Sequence, residues 1–296
     1  MLVAKLPTGV ERFKESAAYA LYMLLGSSAD FLHATLQLVH IIPRSRPSSD
    51  YRALCGIELN AENISVLSPD TVVKWHDWYE PEELPLAEAM TLDHIFTHTT
   101  IPVPRVRRVI RIDSEHTDAI ILDRIPGRQL RRAWPTMSLW AKLRVAFILR
   151  GYIRQLHTVR NPRPGMPGPM APGDLARFFN CRRRANMIYY PHLFAGVPEE
   201  WFDCSQPLVM THCDLNMRNI LVGDDGRLYL LDWGYSGFYP PWFEYVNWEF
   251  WLCCEMGGKA AELDREDRLW NLMIPFITGP YYKEDRWFSF AYLTYW

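Results

Sequence analysis

The chain has 296 residues, 49% of them hydrophobic and 14% aromatic, enough to bury a sizeable core in two packed units. A formal net charge of −2, with 32 Lys and Arg against 34 Asp and Glu, argues against nucleic acid as the main partner. Six cysteines without a Cys-x-x-Cys spacing offer neither a zinc-site pattern nor a disulfide framework, so a reducing, cytoplasmic setting is the expectation.

From the amino terminus, Ala17 to Ile42 is apolar but broken by Asp30, His33, Gln37 and His40 and by Gly26-Ser27-Ser28. No clean run of ~20 apolar residues survives, so no membrane span is expected. The pattern predicts two packed helices split at Gly26-Ser27, leaning on the N-terminal unit. Ala53 to Ser68 follows with a single glycine. Asp70-Thr71-Val72-Val73-Lys74-Trp75 then reads as a turn feeding a short β-branched strand that carries one lysine. Pro85 to Leu92 is built of helix formers with Leu86 and Met90 at i, i+4, and it contains Glu88. Beyond Ile101-Pro102-Val103-Pro104 come two apolar runs, Arg107 to Ile112 and Ala119 to Leu122, and the turn-bearing Asp123-Arg124-Ile125-Pro126-Gly127. Trp140 to Val159 has a helical pattern, and the stretch from Asn161 to Asp174 holds too many prolines and glycines for helix or central strand.

The richest segment is residues 208–234. Leu208-Val209-Met210, Ile220-Leu221-Val222 and Leu228 to Leu231 read as strands, the last two joined by the turn Gly223-Asp224-Asp225-Gly226. They put His212, Asp214, Asn219 and Asp232 on neighbouring backbone segments. Transfer of a γ-phosphoryl group spreads negative charge over oxygens, so the protein has to supply metal-borne charge and a base that orients the attacking hydroxyl. Asp214 fits the base, while Asn219 and Asp232 offer the hard oxygen ligands that Mg²⁺ prefers. Any one such residue is more often a turn cap. The ordered set His-x-Asp-x4-Asn, strand, Asp-Trp-Gly is much rarer.

These motifs resemble the aminoglycoside phosphotransferase family of the protein-kinase-like superfamily. His212-Cys213-Asp214 to Asn219 looks like the family's catalytic loop and Asp232-Trp233-Gly234 like its metal-binding turn. The resemblance implies that Asp214 is the catalytic base, that Asn219 and Asp232 hold magnesium, and that His212 orients the loop. It places Lys74 on the family's third strand, against the α- and β-phosphates of ATP, with Glu88 as its partner and Glu83 as the competing one. It also places the Asp123 carbonyl and the Ile125 amide on the adenine edge.

The implied fold is α+β and two-lobed: residues 1–124 as an N-terminal lobe with a small antiparallel sheet, and 125–296 as a mostly helical C-terminal lobe with catalytic loop and acceptor site. Protein kinases share the core motifs, but Cys213 stands where they carry Arg, and no Ala-Pro-Glu follows Gly234. Residues 235–245 run directly into a helical pattern, which leaves no peptide-docking segment. A small hydroxylated acceptor, without protein partner, is therefore expected. Glu244, Trp248, Trp251 and Glu255 fall at i, i+4, i+7 and i+11, a helical face that could serve an amine-bearing or aromatic acceptor, although core packing is the commoner role of such rings. The competing functional class is a kinase-fold protein that binds nucleotide without transferring phosphate, or that serves repurposed chemistry.

Overall fold

The computed structural model describes residues 9, 13–25, 64–76, 84–112, 117–162, 168–170, 207–248 and 268–286. Its first sheet is four-stranded and antiparallel, built from β1 (Ile64–Ser68), β2 (Thr71–His76), β3 (Val106–Ile112) and β4 (Thr117–Asp123) in the order β1-β2-β4-β3. β-branched and aliphatic residues dominate β2 and β4, which suits central strands packed on both sides. The register sets Lys74 opposite Ile120, so the one lysine of β2 lies on a central strand. Helix α2 (Leu84–His98) covers this sheet, burying Ala87, Glu88, Leu92 and Ile95.

The Ile-Pro-Val-Pro segment leads out of α2 with Ile101 and Val103 buried, and the Pro102 carbonyl accepts from the Leu230 amide at 3.0 Å. Two prolines keep this stretch extended and out of helix, so it ties the first sheet to the second. The second sheet has three strands in the order β5-β7-β8, namely β5 (Gly127–Gln129), β7 (Ile220–Gly223) and β8 (Leu228–Leu230). β6 (Val209–Thr211), expected in the same hairpin, pairs instead with β9 (Gly237–Tyr239). That two-stranded ribbon is extended by an isolated bridge between Phe238 and Gly168. Residues 163–167 and 171–174, most of the proline-rich connector, lie outside the described residues.

The helical part is anchored by α4 (Leu139–Thr158), capped by the Ser138 side chain, which accepts from the Ala141 amide. Its inward face carries Val145, Leu149, Ile153 and Leu156, the i, i+4 stripe that the sequence displays. Short α3 (Leu130–Ala133) precedes it; α5 covers the described residues 243–248, and α6 (Arg268–Thr278) packs against α4. One apolar cluster runs from Val72 and Ile120 through Leu149 and Leu156 to Trp242 and Ile274.

The N-terminal helix α1, described over 13–25, departs from expectation. It contacts the helical part: Glu15 pairs with Arg286, and Tyr22 lies 4.2 Å from the buried Arg150 guanidinium of α4. A planar guanidinium sandwiched by Tyr22 and Phe276 and donating to the Phe276 carbonyl at 2.7 Å satisfies its charge best there. The second expected N-terminal helix lies outside the described residues.

Candidate active site

Lys74 projects from β2 into a nearly closed space, where its Nζ donates to Glu88 Oε1 at 3.0 Å, Glu88 Oε2 at 2.8 Å and Asp232 Oδ1 at 2.7 Å. Burial by itself would lower the lysine pKa, but the two carboxylates outweigh it and hold the pKa raised, so Lys74 stays charged. Glu88 additionally accepts the Trp233 amide at 3.3 Å. One ammonium thus joins the sheet, α2 and the turn after β8. Glu83 lies outside the described residues.

Two residues on the catalytic segments sit in the left-handed region without being glycine: Cys213 at φ 64° and Asp232 at φ 63°. Such backbone costs roughly 1 kcal/mol or more and persists where the surroundings impose it. At Cys213 the restraint is visible. Glu244, fully buried on α5, accepts the His212 amide at 2.6 Å and the Cys213 amide at 3.1 Å, one on each carboxylate oxygen. Burial lifts the Glu244 pKa to about 7, against the pull of those two amides.

His212 is buried under Trp233, with ring centroids 4.6 Å apart. Its Nε2 lies 2.9 Å from the Leu231 carbonyl and its Nδ1 accepts the Asp214 amide at 3.3 Å, which fixes the tautomer with the proton on Nε2. Burial pushes its pKa down to about 4, so the ring is neutral and both nitrogens are committed to backbone.

The Asp214 carboxylate is held by two amides: Asn216 Nδ2 donates to Oδ1 at 2.8 Å, and Asn219 Nδ2 to Oδ2 at 2.6 Å. Burial raises its pKa to about 7, the Asp232 charge adds to the rise, and Arg218 and the two asparagines oppose it. A carboxylate titrating near neutrality is matched to general-base work there. Asn219 also donates through Nδ2 to the Asp214 carbonyl at 2.9 Å, which commits the nitrogen and turns Oδ1 away from the base. Asp232 remains comparatively open, with its side chain 39% exposed.

Asn216 belongs to none of the motifs quoted above. Its Oδ1 accepts the Arg218 amide at 2.9 Å and the Asn219 amide at 3.2 Å, an Asx turn that closes the loop. An Asn two residues after an Asp and before a turn is the signal that marks it. The acceptor face proposed around α5 is redirected by burial: Glu244 clamps backbone, and Trp248 packs on Trp270 with ring centroids 5.1 Å apart. Trp251 and Glu255 lie outside the described residues. At the exit of β4, the Asp123 carboxylate pairs with Arg107, the Arg124 amide donates to the Asp70 carbonyl at 2.9 Å, and among the described residues the Ile125 amide has no backbone partner.

A model of the phosphotransferase enzyme family matches residues 70–260, well over half of the chain. The chain belongs to the phosphotransferase enzyme family. Its described residues show the mixture of helix and antiparallel sheet expected from the sequence. Among solved structures it is similar to a thermostable mutant of aminoglycoside phosphotransferase APH(4)-Ia in ternary complex with ADP and hygromycin B, at 16% identity, TM-score 0.46, covering 82% of this chain and 92% of that one. The apo form of such a mutant matches at 16% identity and TM-score 0.44, covering 77% and 87%. APH(4)-Ia itself matches at 17% identity and TM-score 0.42, covering 87% and 96%. A search of curated proteins finds no significant match.

All five polar groups that converge here, Lys74, Glu88, Asp214, Asn219 and Asp232, fall inside the span matched by the phosphotransferase family. Among the described residues no group of three or more His, Cys, Asp or Glu could hold a metal. The oxygen donors at the site, the Asn219 amide and the Asp232 carboxylate, would fit a hard cation such as Mg²⁺ and not a soft metal.

Proposed function

We propose that this phosphotransferase moves the γ-phosphoryl group of ATP onto a hydroxyl of a small molecule in the cytoplasm, using Mg²⁺. The observation that carries the reading is the convergence of β2, α2, the 212–219 loop and the turn at Asp232, with one ion-paired lysine at the centre and a neutral-range carboxylate beside it. Within residues 1–124 the sheet and α2 form the nucleotide-covering lobe, with α1 packed on the other, and 125–296 form the lobe that carries base and acceptor, with the Asp123 carbonyl and the Ile125 amide available to the adenine edge.

Asp214 accepts the acceptor proton as the acceptor oxygen bonds to the γ-phosphorus and the bond to the ADP oxygen breaks. Lys74, held in place by Glu88, contacts the α- and β-phosphates. Asn219 Oδ1 and the Asp232 carboxylate would hold Mg²⁺, which would supply positive charge beside the phosphate oxygens. Glu244 and His212 keep the loop in the one backbone conformation that aims Asp214.

Magnesium-dependent ADP release across a panel of hydroxylated acceptors, compared between the parent and Asp214→Asn, tests this. The expected loss of kcat in the variant is at least ~100-fold, with nucleotide affinity within a few-fold of the parent. A parent that binds Mg-ATP yet releases no ADP with any acceptor would favour a nucleotide-binding module without transfer.

A further inference from the structure

From Glu88 to His98, the end of α2, is about 15 Å of helix at about 1.5 Å per residue. Over that length a tilt of about 4° at the exit shifts the Glu88 carboxylate by about 1 Å, enough to break its 2.8 Å contact with Lys74 Nζ. Ala89, Leu92 and Ile95 bury apolar surface, but that attraction is non-directional and sets a tilt less sharply than hydrogen bonds do. The hydrogen bonds are at the exit. The Thr99 amide and hydroxyl both donate to the Ile95 carbonyl, at 3.0 and 2.8 Å, and Thr99 Oγ1 accepts the Ile101 amide at 3.1 Å, so the helix end is closed onto the linker. Thr100 then meets the helical part: its amide at 3.0 Å and its hydroxyl at 2.9 Å both donate to Gln155 Oε1 on α4. A backbone N–H can only donate, so the oxygen of the Gln155 amide has to face it. Near the same end of α2, the His94 ring is hydrogen-bonded to the backbone of Arg160, just past α4.

Resting on the reading of Lys74 as the phosphate contact, we infer that Gln155 is a positioning residue for the nucleotide site: it seats the exit of α2 on α4 and so holds Glu88, and through Glu88 the Lys74 ammonium, where the α- and β-phosphates bind. Gln155 acts only through α2. The same linker sets the other partner of Lys74, because the Pro102 carbonyl takes the Leu230 amide at 3.0 Å and Leu230 stands two residues before Asp232. Thr100 and Pro102 thus give α2 and the turn at Asp232 a common reference on the helical part. With Gln155 in place the ion pair is formed before any nucleotide arrives, and the ordering cost is met in folding rather than in binding.

The test titrates Mg-AMP-PNP and adenosine against the full chain by tryptophan fluorescence, with the melting temperature measured alongside. Gln155→Met keeps the shape of the side chain and removes the acceptor; it is expected to weaken Mg-AMP-PNP about fivefold, while adenosine, which brings no phosphate to Lys74, stays within about twofold of the parent. Thr100→Val keeps the amide and loses the hydroxyl, and is expected to weaken Mg-AMP-PNP by about twofold. Glu88→Gln is expected to weaken it at least about tenfold, and adding Gln155→Met to that variant to cost no more than a further factor of about 1.5, because Gln155 works through Glu88. Arg150→Ala lowers the melting temperature without touching this contact and should leave both ligands within about twofold, which separates the role from general loss of stability. Three results overturn the inference: Mg-AMP-PNP affinity unchanged in Gln155→Met, adenosine affinity falling in step with it, or a double variant that shows the full product of the two single effects. Should Glu88→Gln fail to fold, Gln155→Met and Thr100→Val decide the matter by the same split between the two ligands. If folded Glu88→Gln leaves Mg-AMP-PNP affinity unchanged, the reading of Lys74 as the phosphate contact fails and takes the role of Gln155 with it. If Glu88→Gln weakens binding and Gln155→Met does not, the role of Gln155 fails alone.

Discussion

Asp214 is worth following with pH because its environment moves it into a measurable range. The base acts as the ionised carboxylate, and burial holds its pKa up at about 7. Acceptor kcat/KM should therefore rise with pH through about 7 and level above it, falling about tenfold per unit below. A profile already flat from pH 5 upward would remove Asp214 from the proton step. Glu244 gives a second handle. In Glu244→Gln the new amide nitrogen faces a backbone N–H, so one of the two clamped amides loses its acceptor, at a cost of about 1–3 kcal/mol. The expected result is a lower melting temperature and a lower kcat, with the KM values for ATP and acceptor much less affected, because the clamp aims the loop without touching either substrate. A variant with parental kcat and altered acceptor KM would return Glu244 to the acceptor site.

Gly127 shows how closely the elements around the site are fitted. It opens β5, and a Cβ there would lie 2.4 Å from the Val222 carbonyl oxygen and 2.8 Å from Gly223 Cα, both backbone of β7. Gly127→Ala should part β5 from β7 and cost about 2 kcal/mol or more, read as a drop in melting temperature accompanied by reduced turnover, since β7 carries the loop that ends in Asn219. An unchanged melting temperature would show that the strands yield freely. The same elements explain what the sequence disclosed. Long periodic stretches such as α4, and the lysine strand β2, announce themselves through repeat and β-branching. β5 and β9 do not, because three residues are too few to carry an alternation, and β6 was drawn into the neighbouring hairpin for the same reason. The polar groups of the site were legible because their chemistry constrains spacing; Asn216 was not, because it acts through the turn's own hydrogen bonds. Glu244 sits in a run where Trp242, Phe243, Tyr245 and Val246 are all buried, so no polar face in the sequence says which way its carboxylate points.

Among the described residues, the links between the sheet and the helical part include the Lys74 to Asp232 ion pair, the Trp233 to Glu88 and Leu230 to Pro102 hydrogen bonds and the shared core. α1 meets the helical part through Glu15 and Tyr22 while Phe13, Leu21 and Leu24 stay exposed, and an apolar pattern alone does not say which lobe a helix meets. Its attachment through Arg150 can be measured. Arg150→Ala removes a buried side chain that lies between two rings and caps the Phe276 carbonyl, and it should destabilise the fold by about 3 kcal/mol while leaving the KM for ATP unchanged. A shift in the KM for ATP would mean instead that α1 reports to the nucleotide site. The central claim is that Lys74, Asn219, Asp232 and Asp214 surround one metal-bound triphosphate. The most direct measurement is a crystal structure with Mg²⁺ and AMP-PNP: the account predicts the metal on Asn219 Oδ1 and the Asp232 carboxylate, Lys74 Nζ on the α- and β-phosphates, and Asp214 facing the γ-phosphorus. A nucleotide bound elsewhere, or a metal with neither Asn219 nor Asp232 among its ligands, would contradict it.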